Sequence, residues 1–290
     1  MLSERAMLVN LHRHAWRGKK LDKIITQEIA SQYGIEGNPG EYNKSLISKD
    51  EIDKIWKISG KIYNWHRDNT LPWLDGGDRI LPAKLFINYR REMHVMIIQF
   101  KSAVEYFCKI YPDLRIRAEH ELNGAFNEND YPAADDIRSK FSIYYTINPV
   151  PVANDFRADL SEKEQKEIQN EINTRCEQAL AVASKEIWDR LYNVVNSMFI
   201  SLSQFNPDAT GKERGVFRDS LVGNVVSLTA ILPHLNITDD DRLYTLTREV
   251  ENKLGQVPPQ ELRDDSAKRN SVMDDAEDIM NRMKGYMGVA

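Results

Sequence analysis

Between residues 160 and 205 apolar side chains return at a helical interval. Ile168, Ile172, Cys176, Ala179, Ala183, Ile187, Leu191, Val194, Met198, Leu202 and Phe205 step by about 3.7 residues, with no Gly or Pro before Asn206-Pro207. That interval lies near the 3.6 of a straight helix rather than the 3.5 of a left-handed coiled coil. Ser161-x-x-Glu164 is a capping box at its start. The pattern predicts a single helix of about 45 residues, roughly 65 Å long at 1.5 Å per residue. Its first half, Glu162–Glu177, is polar with a thin seam, as in an exposed arm or a coiled-coil contact. Its second half adds Trp188, Tyr192, Val195 and Phe199, the wide stripe of a core helix. The seam at Ile168, Ile172, Ala179 and Ala183 is the expected partner-binding surface. Its companion helix is expected from Pro82–Tyr111 or from another subunit.

Alternation of period two marks strands at residues 6–16 and 141–148, the second ended by Pro149 and Pro151. Two strands are marginal alone, so they are expected to pair and to lie on helices, tying the chain into one domain. Helical stripes run over Leu21–Tyr33, from Ser48-Lys49-Asp50-Glu51 through Tyr63, and from Pro82 to Tyr111, where Pro112 should end or kink the helix. Thr70–Leu81 reads as a Gly/Pro loop. Gly215–Leu232 and Thr238–Leu254 read as helices, and Ser266–Met287 as a weakly apolar one beside the acidic cluster at 274–278. The fold class is therefore mainly α: a helical bundle with a long helical arm and a small two-stranded β element (6–16 with 141–148). Residues 1–257 form a single domain, and 258–290 form a peripheral, acidic helical tail.

Charge narrows the picture. Lys and Arg number 39 against 44 Asp and Glu, a net charge of −5, which argues against a general nucleic-acid binder. Cys108 and Cys176 sit at apolar helical positions and form no disulfide framework or zinc spacing, in keeping with a reducing compartment. No stretch approaches the roughly 18 apolar residues of a membrane span, and the start lacks a signal-peptide pattern. The expectation is a soluble, cytoplasmic protein.

Chemistry is sparse. Gly211-Lys212 lacks the rest of a phosphate-binding loop, and His120-Glu121-Leu122-Asn123-Gly124 lacks the second histidine of a zinc-protease helix. No catalytic residue, resident metal or cofactor is predicted. His12-x-His14 has a metal-ligand spacing on one strand face, and equally suits an exposed edge. Arg13, Trp16, Arg17, Lys19 and Lys20 combine cations with an aromatic, as phosphate contact and base stacking require, or form a solvated turn with Trp16 packed inward. In Trp65–Pro82, Asp75 and Asp78 are positioned to hold a cation or work as an acid/base pair; alternatively Trp73 anchors the loop and Asp78 caps the next helix.

Leu71-Pro72-Trp73-x-Asp75…Arg79-x-Leu81-Pro82 resembles a family of uncharacterised proteins encoded by bacteriophages and bacterial mobile elements. Asp130-Tyr131-Pro132, Phe141 with Pro149-Val150-Pro151, Asp155-Phe156-Arg157 and Phe217–Asn224 extend the resemblance over about residues 5–255. It implies a viral or mobile-element origin and co-occurrence with ring ATPases of the MoxR or cobaltochelatase-like type and their von Willebrand A-domain partners. It implies no activity and no site residue. The expected function is a non-enzymatic helical interaction or assembly protein, oligomeric or a partner of a MoxR-like AAA+ ATPase. The alternative is an accessory nucleic-acid-binding protein in phage DNA metabolism.

Overall fold

A computed structural model describes residues 2–74, 77–156, 158–209 and 215–287. Asp75, Arg157, Gly211 and Lys212, singled out above, lie outside the described residues. In chain order the elements are α1 (Leu2–Arg5), β1 (Ala6–Ala15), β2 (Lys19–Leu21), α2 (Lys23–Gln32), β3 (Asn43–Ser45), α3 (Lys49–Asp68), β4 (Leu71–Pro72) and β5 (Asp78–Pro82). There follow α4 (Phe86–Leu122), β6 (Phe141–Pro149), α5 (Glu162–Ser203), α6 (Ser220–Leu235), α7 (Asp241–Val250), α8 (Pro259–Asp264) and α9 (Ser266–Met287). The fold is mainly α, as the periodicity predicts. Among the described residues no helix is long and apolar enough to cross a membrane.

The two predicted strands, β1 and β6, are neighbours, but their sheet has four strands in the order β4-β5-β1-β6. The extra pair comes from the segment read as a loop. Leu71 faces Ile80 across β4 and β5, and β1 pairs antiparallel with β5 from Ala6↔Pro82 to Asn10↔Asp78. Strands this short, bounded by Pro72 and Pro82, carry too little alternation to be seen. Asp78 therefore caps no helix; its carboxylate accepts a hydrogen bond from Asn10 Nδ2 at 3.0 Å. A second antiparallel pair, β2 with β3, had no signal in the pattern.

The chain divides into two compact units, each assembled from separate segments. The first comprises Met1–Asn10, Asp68–Ile87 and Ile147–Ala290. Its axis is α5, which begins at the predicted Ser161–Glu164 capping box. The stripe Ala179, Ala183, Ile187, Leu191, Val195 and Met198 is fully buried, packed by α6 and α9 of the same unit. Two expectations change here. The C-terminal helix is no peripheral tail: α9 buries Val272, Ala276, Ile279 and Met283 and lies along α5, with the Trp188 and Tyr286 rings 5.8 Å apart. The seam on α5 is also not a free contact surface at Ala179 and Ala183, both at 0% exposure.

Thr70 locks β4 in place. Its carbonyl accepts from Arg79 Nη2 and from Arg190 Nη2, each at 3.0 Å, while Arg79 Nε donates to its hydroxyl at 2.7 Å. Arg79 of the quoted motif is thus a structural clamp. At the far end of α5, Gly215 has φ +71°, and a Cβ there would fall 2.2 Å from the Gln204 carbonyl oxygen, so no other residue fits without displacement.

The second unit comprises Leu11–Arg67 and Asn88–Thr146. Its axis is α4, which runs on through Pro112 to Leu122 instead of ending there. Leu114 and Ala118 continue the buried face past the proline, and Tyr111, just before it, donates its Oη–H to the Pro132 carbonyl at 2.9 Å. This packing holds the helix together across the hydrogen bond that Pro112 removes. Phe107, Tyr111 and Phe141 make an aromatic core, and the buried His66 Nδ1 lies 2.7 Å from Tyr89 Oη.

If α9 is part of the core, truncating Ile279 to Ala leaves a cavity against α5 and should cost about 2–5 kcal/mol. A shift in the urea midpoint measures it. A change below about 0.5 kcal/mol would restore the peripheral tail.

Candidate interaction surfaces

The five residues of the basic segment do not form one surface. Arg13 stacks its guanidinium 4.1 Å from the Tyr63 ring centre, and its Nη1 donates to the Ser59 carbonyl at 3.4 Å. Trp16 points inward, edge-on to Tyr111 and Phe107 at 6.0 and 6.5 Å, while its carbonyl accepts from Trp56 Nε1 at 3.2 Å. Lys20 pairs with Asp130 at 2.8 Å. Arg17 and Lys19 are exposed, beside a shallow depression of about 340 Å³ that Lys49 and Trp56 also line. Trp16 is thus half-buried, its ring packed edge-on against the aromatic core.

The opposite strand face is similarly occupied. His12 stacks on Tyr144 with centroids 4.6 Å apart, and its Nε2 is 3.4 Å from Thr146 Oγ1. Among the described residues, no group of three or more His, Cys, Asp and Glu is placed to hold a metal ion. Both cysteines are half-buried, and burial pushes each thiol above its ordinary pKa.

The strongest electrostatic feature of the unit was not predicted. Lys44, on β3, is 3% exposed, and its ammonium meets Asp22 at 3.0 Å, Asp130 at 2.8 Å and the Ala125 carbonyl at 2.7 Å. Each neighbour has its own local reason to be there. Asp22 is the N-cap of α2, accepting from the Ile24 and Ile25 amides at 3.1 Å. Asp130 closes a short 3₁₀ turn and holds Lys20 as well. Burial alone would lower the Lys44 pKa, but the hydrogen bonds and charges of Asp130 and Asp22 hold it above the ordinary lysine value. For Asp130 burial again opposes, and the Lys20 and Lys44 bonds outweigh it, leaving the carboxyl below its ordinary value. The Ile25 amide, then Lys44, lower Asp22. Beside this cluster runs an open groove of about 1090 Å³ lined by α2 and by residues 124–128. With both lysines neutralised, the cluster fixes these segments rather than presenting charge to a ligand. Lys44 and Asp130 are distant in sequence and bear no mark of their pairing.

The remaining surface is on α4. Its buried residues Met93, Phe100, Val104, Phe107 and Tyr111 share one face. On the opposite face Val95, Ile98, Tyr106 and Ile116 are 45%, 49%, 54% and 57% exposed, with Arg91, Ser102, Lys109 and Asp113 between them, all exposed. At 100° per residue these eight positions fall within one sector of the helix, turned away from the core. The earlier seam differs: Ala179 and Ala183 are buried, and Ile168 and Ile172 half-buried.

No protein family matches the chain, nor does any curated protein or solved structure.

The ion cluster sets the pH range of the second unit. Asp22 and Asp130, lowered in the fold, contribute above the unfolded carboxylate pKa of about 3.9 and lose that contribution as pH falls through their folded values. Lys44, raised, contributes below about 10.4 and loses it as pH rises through its folded value; Tyr111, pushed by burial to about 12, behaves in the same sense above about 10. Lys44→Met leaves two carboxylates facing each other and should cost about 3–5 kcal/mol at neutral pH. The loss should shrink towards pH 4, because protonation relieves the repulsion. Urea titrations at pH 7 and at about pH 3.5, below the unfolded carboxylate pKa, check both parts, and an equal loss at both contradicts the electrostatic account.

Proposed function

We propose that this chain is a non-enzymatic, helical interaction and assembly protein that meets its partner through the outer face of α4. The single observation in support is the second apolar stripe of α4, opposite its buried one. Four large apolar residues spaced along a surface helix, interrupted by charges and a small residue, match the apolar-with-polar-rim composition of protein contacts. The seam on α5 expected for this role gives way to α4, since Ala179 and Ala183 are buried within the first unit.

The resemblance to proteins of bacteriophages and mobile elements places the protein, in this reading, in the cytoplasm of a bacterial host. There a ring ATPase of the MoxR type is one partner consistent with that origin. The arrangement of the basic segment does not support the nucleic-acid alternative, since Trp16 packs inward and Arg13 and Lys20 are engaged within the unit.

A photo-crosslinking residue at Ser102 of the full chain, expressed in the native host, tests the contact. It should yield a covalent protein adduct, of the chain with itself or with another protein, while the same residue at the exposed Glu167 of α5 should not. An absence of adducts at position 102 defeats the reading.

A further inference from the structure

We infer that the occupant of this face is a second copy of the chain, with the two α4 helices antiparallel and related by a two-fold axis at Ser102. The inference rests on α4's outer face being a contact surface and adds the identity and register of the partner. The order of residues carries it. In an antiparallel pair centred on Ser102, a residue n positions before it meets the residue n positions after it on the other helix. Arg91 lies eleven positions before and Asp113 eleven after, so opposite charges meet at both ends. Ile98 and Tyr106 lie four positions either side, so each isoleucine meets an aromatic ring. Val95 meets the aliphatic stem of Lys109, seven positions either side.

The centre is equally suited. Ser102 is small and exposed, which lets the helix axes approach to the roughly 8–10 Å of packed helices. A two-fold interface requires a patch complementary to itself, and this antiparallel register pairs Arg91 with Asp113 and Ile98 with Tyr106 twice each, while Val95 meets Lys109 and Ile116 meets Asn88. A parallel pair in register would oppose Arg91 with Arg91 and Asp113 with Asp113. An unrelated partner would not require symmetry about a single residue.

Arg91 already lies near Glu92 at 3.1 Å and Asn88 at 2.6 Å, both on its own exposed turn. Such surface contacts are weak and exchange readily for a partner's carboxylate. The other ionisable groups along this side of α4, beside Glu92 and Tyr106, are His94, Lys101, Glu105, Arg117 and His120; Glu105 is engaged by Arg138. The proposal needs none of them to titrate.

Sedimentation of the purified full chain over a wide concentration range, with charge-swap variants, decides it. The wild type should show a monomer–dimer equilibrium. Arg91→Asp and Asp113→Arg should each raise the dimer dissociation constant at least tenfold, because each places like charges together at both ends. The double variant R91D/D113R should return it to within about threefold of wild type. A mere loss of folding would not be rescued by the second substitution, and circular dichroism checks that each variant folds. Oxidised Ser102→Cys should also form a symmetric disulfide dimer. A chain that stays monomeric throughout, or a dimer indifferent to the swap, overturns the inference. A monomer that still crosslinks to another protein through position 102 in the host would overturn this inference alone and leave the interaction role standing.

Discussion

A helix of 37 residues buries one side against a single layer and leaves the other to solvent. α4 is that long, and it carries large apolar residues on both sides. The inward side is satisfied by the second unit: Phe107, Tyr111 and Phe141 interlock, and His66 and Tyr89 are paired in a buried hydrogen bond. The same packing carries the helix through Pro112. The outward side stays about half exposed, with Lys54 of α3 reaching over the Tyr106 ring at 5.8 Å. Four exposed apolar residues on one stripe are a standing cost in water that association would remove. The proposed assembly role rests on that imbalance.

The two units are held by different means. The first is a packed helical core in which α5 is covered by α6 and α9, with two arginines converging on the Thr70 carbonyl to hold a very short strand. The second relies partly on charge. Placing Lys44 at 3% exposure is unfavourable unless its partners are in place, and the cap of α2, the turn at Asp130 and the Ala125 carbonyl supply them together. Such a cluster ties β3, α2 and the 125–130 segment to one arrangement, because a shift of any of them leaves a buried charge unpaired.

Much of the helical fold was legible because it depends on local periodicity. The eleven apolar positions from Ile168 to Phe205 and the Ser161 capping box describe α5 nearly to the residue. β1 and β6 showed their alternation as well. What failed to show was non-local. β4 and β5 are two and five residues long and acquire their identity only from pairing with each other and with β1. The alanines of α5 read as a thin, exposed seam because nothing in their own neighbourhood says that other segments of the first unit bury them. The basic segment failed for a related reason: sequence shows five suitable side chains, but not that Trp16 turns into an aromatic core. The outer face of α4 lay within the stripe analysis. A helix read for its one best apolar face conceals a second.

The central claim is that two copies of α4 lie antiparallel about Ser102, and intermolecular distances between spin labels test it most directly. Labels at position 102 should fall within about 20 Å of each other, given helix axes roughly 8–10 Å apart. Labels at position 117, fifteen residues from the axis on each copy, should lie about 45 Å apart at 1.5 Å per residue. Short distances at both positions would mean a parallel pair, and no intermolecular signal would mean no pair; either result contradicts the account.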